Sequence, residues 1–248
     1  MPRPRFLRSV LPVLVLWMAS CATVQRPQSL RYSSYNVLGR QADTAMLRFL
    51  EPYAGVLRRS MDDSLGWLPQ PLQKGLPDGT LGNFMADSYL RMAQRRFDSG
   101  VQVAFINHGG IRLNAIASGR LRRGTVYEAM PFDNELVLLR ITGLQLQGYL
   151  DHIASEGGGG VAGLRMTIRD GKAIDVRVQG RPLDAAASYL MANSDYTVLS
   201  GSYAGLRGIP IRRTGYLLRD ATIDYCTSYR DAGRPIQIDT EKRIQHVP

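Results

Sequence analysis

"VQVAFINHGGIR", residues 101–112, is the stretch on which the reading of this chain turns. Residues 101–106 have the composition of a strand, and the strand runs directly into Asn107-His108-Gly109-Gly110. Glycines placed there let the backbone approach a ligand or take positive φ. Arg112 adds a planar fork suited to phosphate or carboxylate. Asn107 either orients the loop by bonding its own backbone or contacts the ligand itself. The alternative is a structural turn in which Arg112 holds a neighbouring carboxylate such as Asp133. The stretch by itself does not choose between a ligand loop and a turn.

Working outward, "TLGNFMADSYLRMAQRRF" precedes it, with Leu81, Phe84, Met85, Tyr89 and Met92 at helical spacing. Thr80 is the expected cap. Residues 66–79 carry three prolines and three glycines and are expected to be loop. Asp43 is placed to cap an earlier helix running to about Leu57, which Pro52 would bend or split. Downstream, "ELVLLRI" (135–141) is apolar enough for a central strand. Thr142 closes it and caps a helix bearing Leu146, Leu150 and Ile153. Asp170-Gly171 is a strong hairpin signal between "LRMTI" and "AIDVRVQG", where Ile174, Val176 and Val178 alternate with polar residues. "SYLMA" (188–192) is a further strand, Leu217, Leu218, Ala221 and Tyr225 suggest a late helix, and "KRIQHV" returns as an edge strand. Strands, helices and a hairpin intermix, so the fold class is α/β (α+β) with a mixed sheet. One domain is expected over residues 41–248.

Residues 1–20 are set aside from the fold. Arg3, Arg5 and Arg8 form a basic start, and the apolar run 10–18 is shorter than the roughly 20 residues that span a bilayer. That pattern reads as an export signal. Met18-Ala19-Ser20 before Cys21 resembles a bacterial lipobox, which makes Cys21 the acylated N-terminus and residues 21–40 a tether. The expected location is outside the cytoplasm, lipid-anchored, at the outer membrane and facing the periplasm or cell surface, with membrane contact through the anchor only. The only other cysteine is Cys226, expected in the core rather than in a disulfide. Formal charge is +10, and Lys74, Lys172 and Lys242 are the only lysines. Arginine favours bidentate anion contacts. No aromatic-interleaved basic tract is present, so nucleic acid is not an expected partner.

The series "GTLGNFMADSYL", "FINHGGIR", "GTVYEAMPFDNELVLLRITGLQLQGYL", "DGKAIDVRVQGRPLDAAASYLMA" and the closing "RI" resembles the C-terminal domain of bacterial 5′-nucleotidases, in that order. The likeness covers residues 43–244. It implies a substrate-binding domain that works beside a two-metal phosphoesterase domain. By resemblance Asn107, His108, Gly109, Gly110 and Arg112 form the ligand-facing loop, and Pro131, Phe132 and Asn134 a second signature at the same cleft. Gly82, Asn83 and Asp87 match the helix-opening block, in a structural role. Two departures stand out. Where the family has Gly-Gly-Asp-Gly-Tyr, this chain has "LSGSYAG", with Gly201 in place of the acid and Tyr203 as the retained aromatic. Met166 falls near a base-stacking aromatic of the family.

The chemistry expected of this chain follows from its donors. A two-metal hydrolase needs several His, Asp and Asn ligands around metals about 4 Å apart. The histidines here are His108, His152 and His246, in no HxxEH or DxH pattern. No catalytic residue, metal ligand or cofactor is therefore assigned to the chain, and two divalent metals are expected in a partner. The leading expectation is the recognition half of a split nucleotidase, with a separate metallophosphoesterase lipoprotein doing the cleavage. The ligand would be a nucleotide or another anionic small molecule. The alternative is a stand-alone surface binding lipoprotein with altered specificity.

Overall fold

The computed structural model describes residues 43–201 and 203–247. The expected export signal, Cys21 and the tether lie outside the described residues. Arg48–Pro248 forms a compact unit in its own right.

Helix α1 (Thr44–Met61) starts where its sequence predicts, with the Asp43 carboxylate accepting the amides of Ala45 (2.9 Å) and Met46 (3.1 Å). It runs past Leu57 to Met61 and keeps Pro52 inside it, unsplit. Strands β1 (Ser64–Leu68) and β2 (Leu72–Gln73) correct the expectation of a loop over 66–79. Leu65, Leu68 and Leu72 are fully buried there, and tertiary burial overrides the local turn signals. Helix α2 (Thr80–Arg96) is capped at Gly79, not by Thr80. The Thr80 hydroxyl instead accepts the Gln73 amide at 2.8 Å, tying the helix start to β2.

Strand β3 (Val103–Ile106) leads into a 3-10 turn at His108–Gly110, followed by β4 (Ala115–Ile116), β5 (Gly119–Arg122) and helix α3 (Arg123–Ala129). Strand β6 (Glu135–Thr142) passes into helix α4 (Gly143–Ser155) through a full capping box between Thr142 and Gln145. Then come β7 (Gly160–Ala162) and the hairpin β8 (Leu164–Arg169) to β9 (Lys172–Val178). That hairpin turns at Asp170 and Gly171, whose φ angles of 49° and 70° fit its Asp-Gly signal. The chain ends with β10 (Arg181–Pro182), β11 (Ser188–Ser194), helix α5 (Asp195–Leu199), β12 (Ile211–Leu217), helix α6 (Leu218–Asp231) and β13 (Ile244–His246).

The sheets are mixed, as expected. The central one has the order β12-β6-β11-β3-β7, with β11 and β3 parallel and the other pairs antiparallel. A second sheet runs β10-β9-β8-β13, and the tail strand β13 pairs parallel at its edge. Alternation along the central strands divides two cores. Ala104, Ile106, Leu136, Leu138, Leu190 and Ala192 enter the core with α2 and α6. Val103, Phe105, Val137, Leu139, Tyr189 and Met191 enter the other, with α4 and the second sheet. Both faces are covered, which is why these strands read as nearly continuous apolar runs.

Helix α2 lies close on β7 because glycines meet there. A Cβ at Gly160 would sit 2.5 Å from the Gly82 carbonyl. Asn83 accepts the Val161 amide at 3.1 Å and donates to Asp78. Asp87 holds Arg243 through two bonds of 2.8 and 2.7 Å, and Arg243 also donates to the Val161 carbonyl. Residues 82, 83 and 87 thus fasten the helix to β7 and the chain end.

Candidate functional site

Sheet order determines which loops meet. Because β3 and β11 run parallel, the loops leaving their C-terminal ends share one edge of the sheet. Strand β6 runs antiparallel to β11, with Leu136 opposite Ser194, so the segment entering β6 joins them. Residues 107–112, 132–134 and 194–196 therefore converge, as expected for a crevice outside strand ends. Between them lies a cavity of about 290 Å³ lined by Asn107, Gly109, Gly110, Arg112, Phe132, Asn134, Ser194 and Tyr196, with Ile106, Met130 and Leu218 at its base.

Each wall is locked by its own hydrogen bonds. Asn107 orients the loop, its side chain accepting the Gly109 amide at 3.0 Å. The Gly110 amide returns to the Asn107 carbonyl, and the Arg112 amide reaches the Ala129 carbonyl. Lys74 donates to the Ile111 carbonyl at 2.8 Å. Neither Gly109 nor Gly110 has positive φ, and a Cβ at either would meet nothing closer than 3.5 Å. Nothing within the fold demands glycine at these two positions, and both border the open cavity.

The pairing of Arg112 with Asp133 is not found. Asp133 is taken by Arg219 at 2.6 Å, and Arg219 also donates to the Phe132 carbonyl and stacks over Tyr127 at 4.2 Å. Arg219, nearly buried, thereby holds the Phe132 segment in place. Arg112 is exposed, with its guanidinium carbon 5.0 Å from the centre of the Phe132 ring. Among the described residues no carboxylate pairs with it. Across the cavity, the Asp195 carboxylate accepts the amides of Glu135 (3.0 Å) and Tyr196 (2.7 Å), so the third wall is pinned to the start of β6.

Six of the nine expected ligand residues line this cavity: Asn107, Gly109, Gly110, Arg112, Phe132 and Asn134. Pro131 is exposed and lines neither it nor its neighbour. His108 and Tyr203 face a second cavity of about 130 Å³, which shares Ile106 and Asn107 as its wall. There Tyr203 stacks on His152 with ring centres 5.2 Å apart, and the buried Thr197 hydroxyl has no hydrogen-bond partner among the described residues. Burial, then Lys74, pushes the His108 pKa below its ordinary value, favouring neutral imidazole. Met166 is not at the site: it is buried in β8, opposite Ile244. Sequence reasoning missed Tyr196, Asp195 and Arg219. An aromatic directly after "MANSD" was the signal available for Tyr196. Among the described residues, no three of His, Cys, Asp or Glu are grouped to hold a metal.

This α/β domain has a partly apolar, arginine-edged crevice at its strand ends, the place where open α/β sheets commonly take ligands. A profile described as "5′-nucleotidase, C-terminal domain" matches residues 69–204, and the chain belongs to that family. It is 32% identical over 139 residues to the trifunctional nucleotide phosphoesterase protein YfkN of Bacillus subtilis, covering 52% of this chain and 9% of that one. With the 5′-nucleotidase of Vibrio vulnificus it shares 27% identity over 179 residues, 68% of this chain and 31% of the other. In fold it is similar to the 5′-nucleotidase precursor of Thermus thermophilus, at a TM-score of 0.71 and 24% identity, over 83% of this chain and 43% of that one. The chain thus spans less than half the length of these relatives.

Proposed function

We propose that this domain recognises the nucleotide for a 5′-nucleotidase-type hydrolase, and that a separate metallophosphoesterase chain with two divalent metals cleaves the phosphate ester. One observation carries the reading. Arg112, unpaired with any described carboxylate, shares a cavity with the rings of Phe132 and Tyr196. A planar base suits the two rings, and an anionic group suits the guanidinium. The chain's place is outside the cytoplasm, held by lipid on Cys21.

Titration calorimetry with AMP, adenosine and inorganic phosphate tests this. AMP should bind more tightly than adenosine or phosphate alone, since it engages both rings and arginine. Equal affinity for AMP and adenosine would remove the phosphate from the Arg112 loop. Absence of binding to all three would favour a second reading, a stand-alone binding lipoprotein. That reading draws on Tyr203, which packs against His152 beside the other cavity, and on Gly201, which by the resemblance replaces an acid of the family.

A further inference from the structure

Helix α1 buries none of its residues, although its composition is that of a packed helix. Within Arg48–Pro248, Phe49, Leu50, Tyr53, Val56 and Leu57 recur at i, i+1, i+4, i+7 and i+8, which places them on one face. Phe49 and Tyr53 are 67% and 68% exposed, and Val56 and Leu57 are 62% and 58% exposed. A stripe of five large apolar side chains open to water is a contact surface in need of an occupant.

Charge identifies the occupant. The other side of the helix carries Arg58 and Arg59, which border an open groove with Arg120 and Arg123. Asp62 and Asp63 are engaged there by Arg122 (3.2 Å) and Arg123 (3.0 Å). Among the described residues no carboxylate pairs with Arg58 or Arg59. An anionic lipid surface meets both features at once, with the apolar stripe sunk below the headgroups and arginines beside the phosphates. We propose that α1 is an interfacial helix lying on an anionic bilayer. The expected acyl anchor at Cys21 would hold it close: the 22 residues between Cys21 and Thr44 reach on the order of 70 Å even when fully extended. No helix among the described residues is long and apolar enough to cross a membrane, so the helix rests on the bilayer.

The test uses the acylated chain with Tyr53→Cys carrying an environment-sensitive fluorophore; the remaining Cys226 is fully buried. The labelled protein is reconstituted into vesicles of phosphatidylcholine alone or with phosphatidylglycerol. The expected result is blue-shifted emission, quenched by lipid-borne quenchers, on the anionic vesicles. The double variant Arg58→Glu, Arg59→Glu should reduce that partition at least threefold with unchanged Tm. Water-like emission on anionic vesicles would overturn the proposal, as would an equal shift on neutral ones. A shift that grows with protein density would instead assign the stripe to a second copy. One that waits for an added metallophosphoesterase would assign it to that protein. A double variant that partitions like the parent would remove the arginines from the account.

Discussion

The guanidinium of Arg112, 5.0 Å from the Phe132 ring, is held by no described carboxylate, whereas its neighbour Asp133 is bound by Arg219. Under the proposed function, that division of labour makes Arg112 the ligand residue and Arg219 the fold residue within one loop cluster. Arg112→Lys should therefore weaken AMP binding by about 1.5–3 kcal/mol, tenfold or more, because one ammonium cannot replace a planar fork. Its stability should stay within about 0.5 kcal/mol of the parent, as for a surface residue without structural partners. Calorimetry beside thermal melts measures both. A clear fall in Tm with unchanged affinity would return Arg112 to the scaffold.

At the scale of elements, two junctions stand out: α2 packed closely on β7, and β12 joined to β6. Gly160→Ala would drive a Cβ to 2.5 Å from Gly82 backbone atoms, which only a shift of strand or helix can relieve. The expected loss is about 1–3 kcal/mol in denaturant melts. At the other junction Glu135 accepts the Gly215 amide and pairs with Arg213 at 2.7 Å. The Gly215 amide above all holds its carboxyl below the usual carboxylate range. A depressed folded pKa contributes stability that is present above the unfolded pKa and lost as pH falls through the folded one. Glu135→Gln should accordingly flatten the fall of Tm between about pH 5 and pH 3. Parallel pH profiles for parent and variant would show this, and superimposable slopes would refute it.

For the whole molecule, the described residues present a crevice, two cores and no grouped metal donors. The purified chain with Mn²⁺, Zn²⁺ or Mg²⁺ should release no phosphate from AMP, whereas a complex with a metallophosphoesterase should. Turnover that follows this chain alone through every purification step would end the division into two chains. The anchor has its own test. Cys21→Ala should abolish incorporation of a fatty-acid probe, and equal labelling of the variant would rule out acylation at this residue.

Local chemistry was enough for the mixed α/β class, the hairpin at Asp170-Gly171, the Thr142 cap, the Asp43 cap and the loop at 107–112, because each rests on neighbours in sequence. The strands within 66–79 were not legible, since Leu65, Leu68 and Leu72 gain their burial from distant partners against strong turn signals. Strand β12 was equally hidden: "IRRTGYL" has no clean alternation, and its pairing with β6 creates it. In the site, sequence reasoning located six cavity residues, whereas the fold turns His108 and Tyr203 to the neighbouring cavity and buries Met166 in the second sheet. Whether Arg112 or Arg219 takes Asp133 is decided by residues 86 positions apart, which no local pattern encodes. Sequence by itself determined which loop offers glycines and arginine. Only the parallel pairing of β3 with β11, and the antiparallel β6 beside it, decided which side chains stand opposite that loop, because sheet order is set by long-range burial rather than by neighbouring residues.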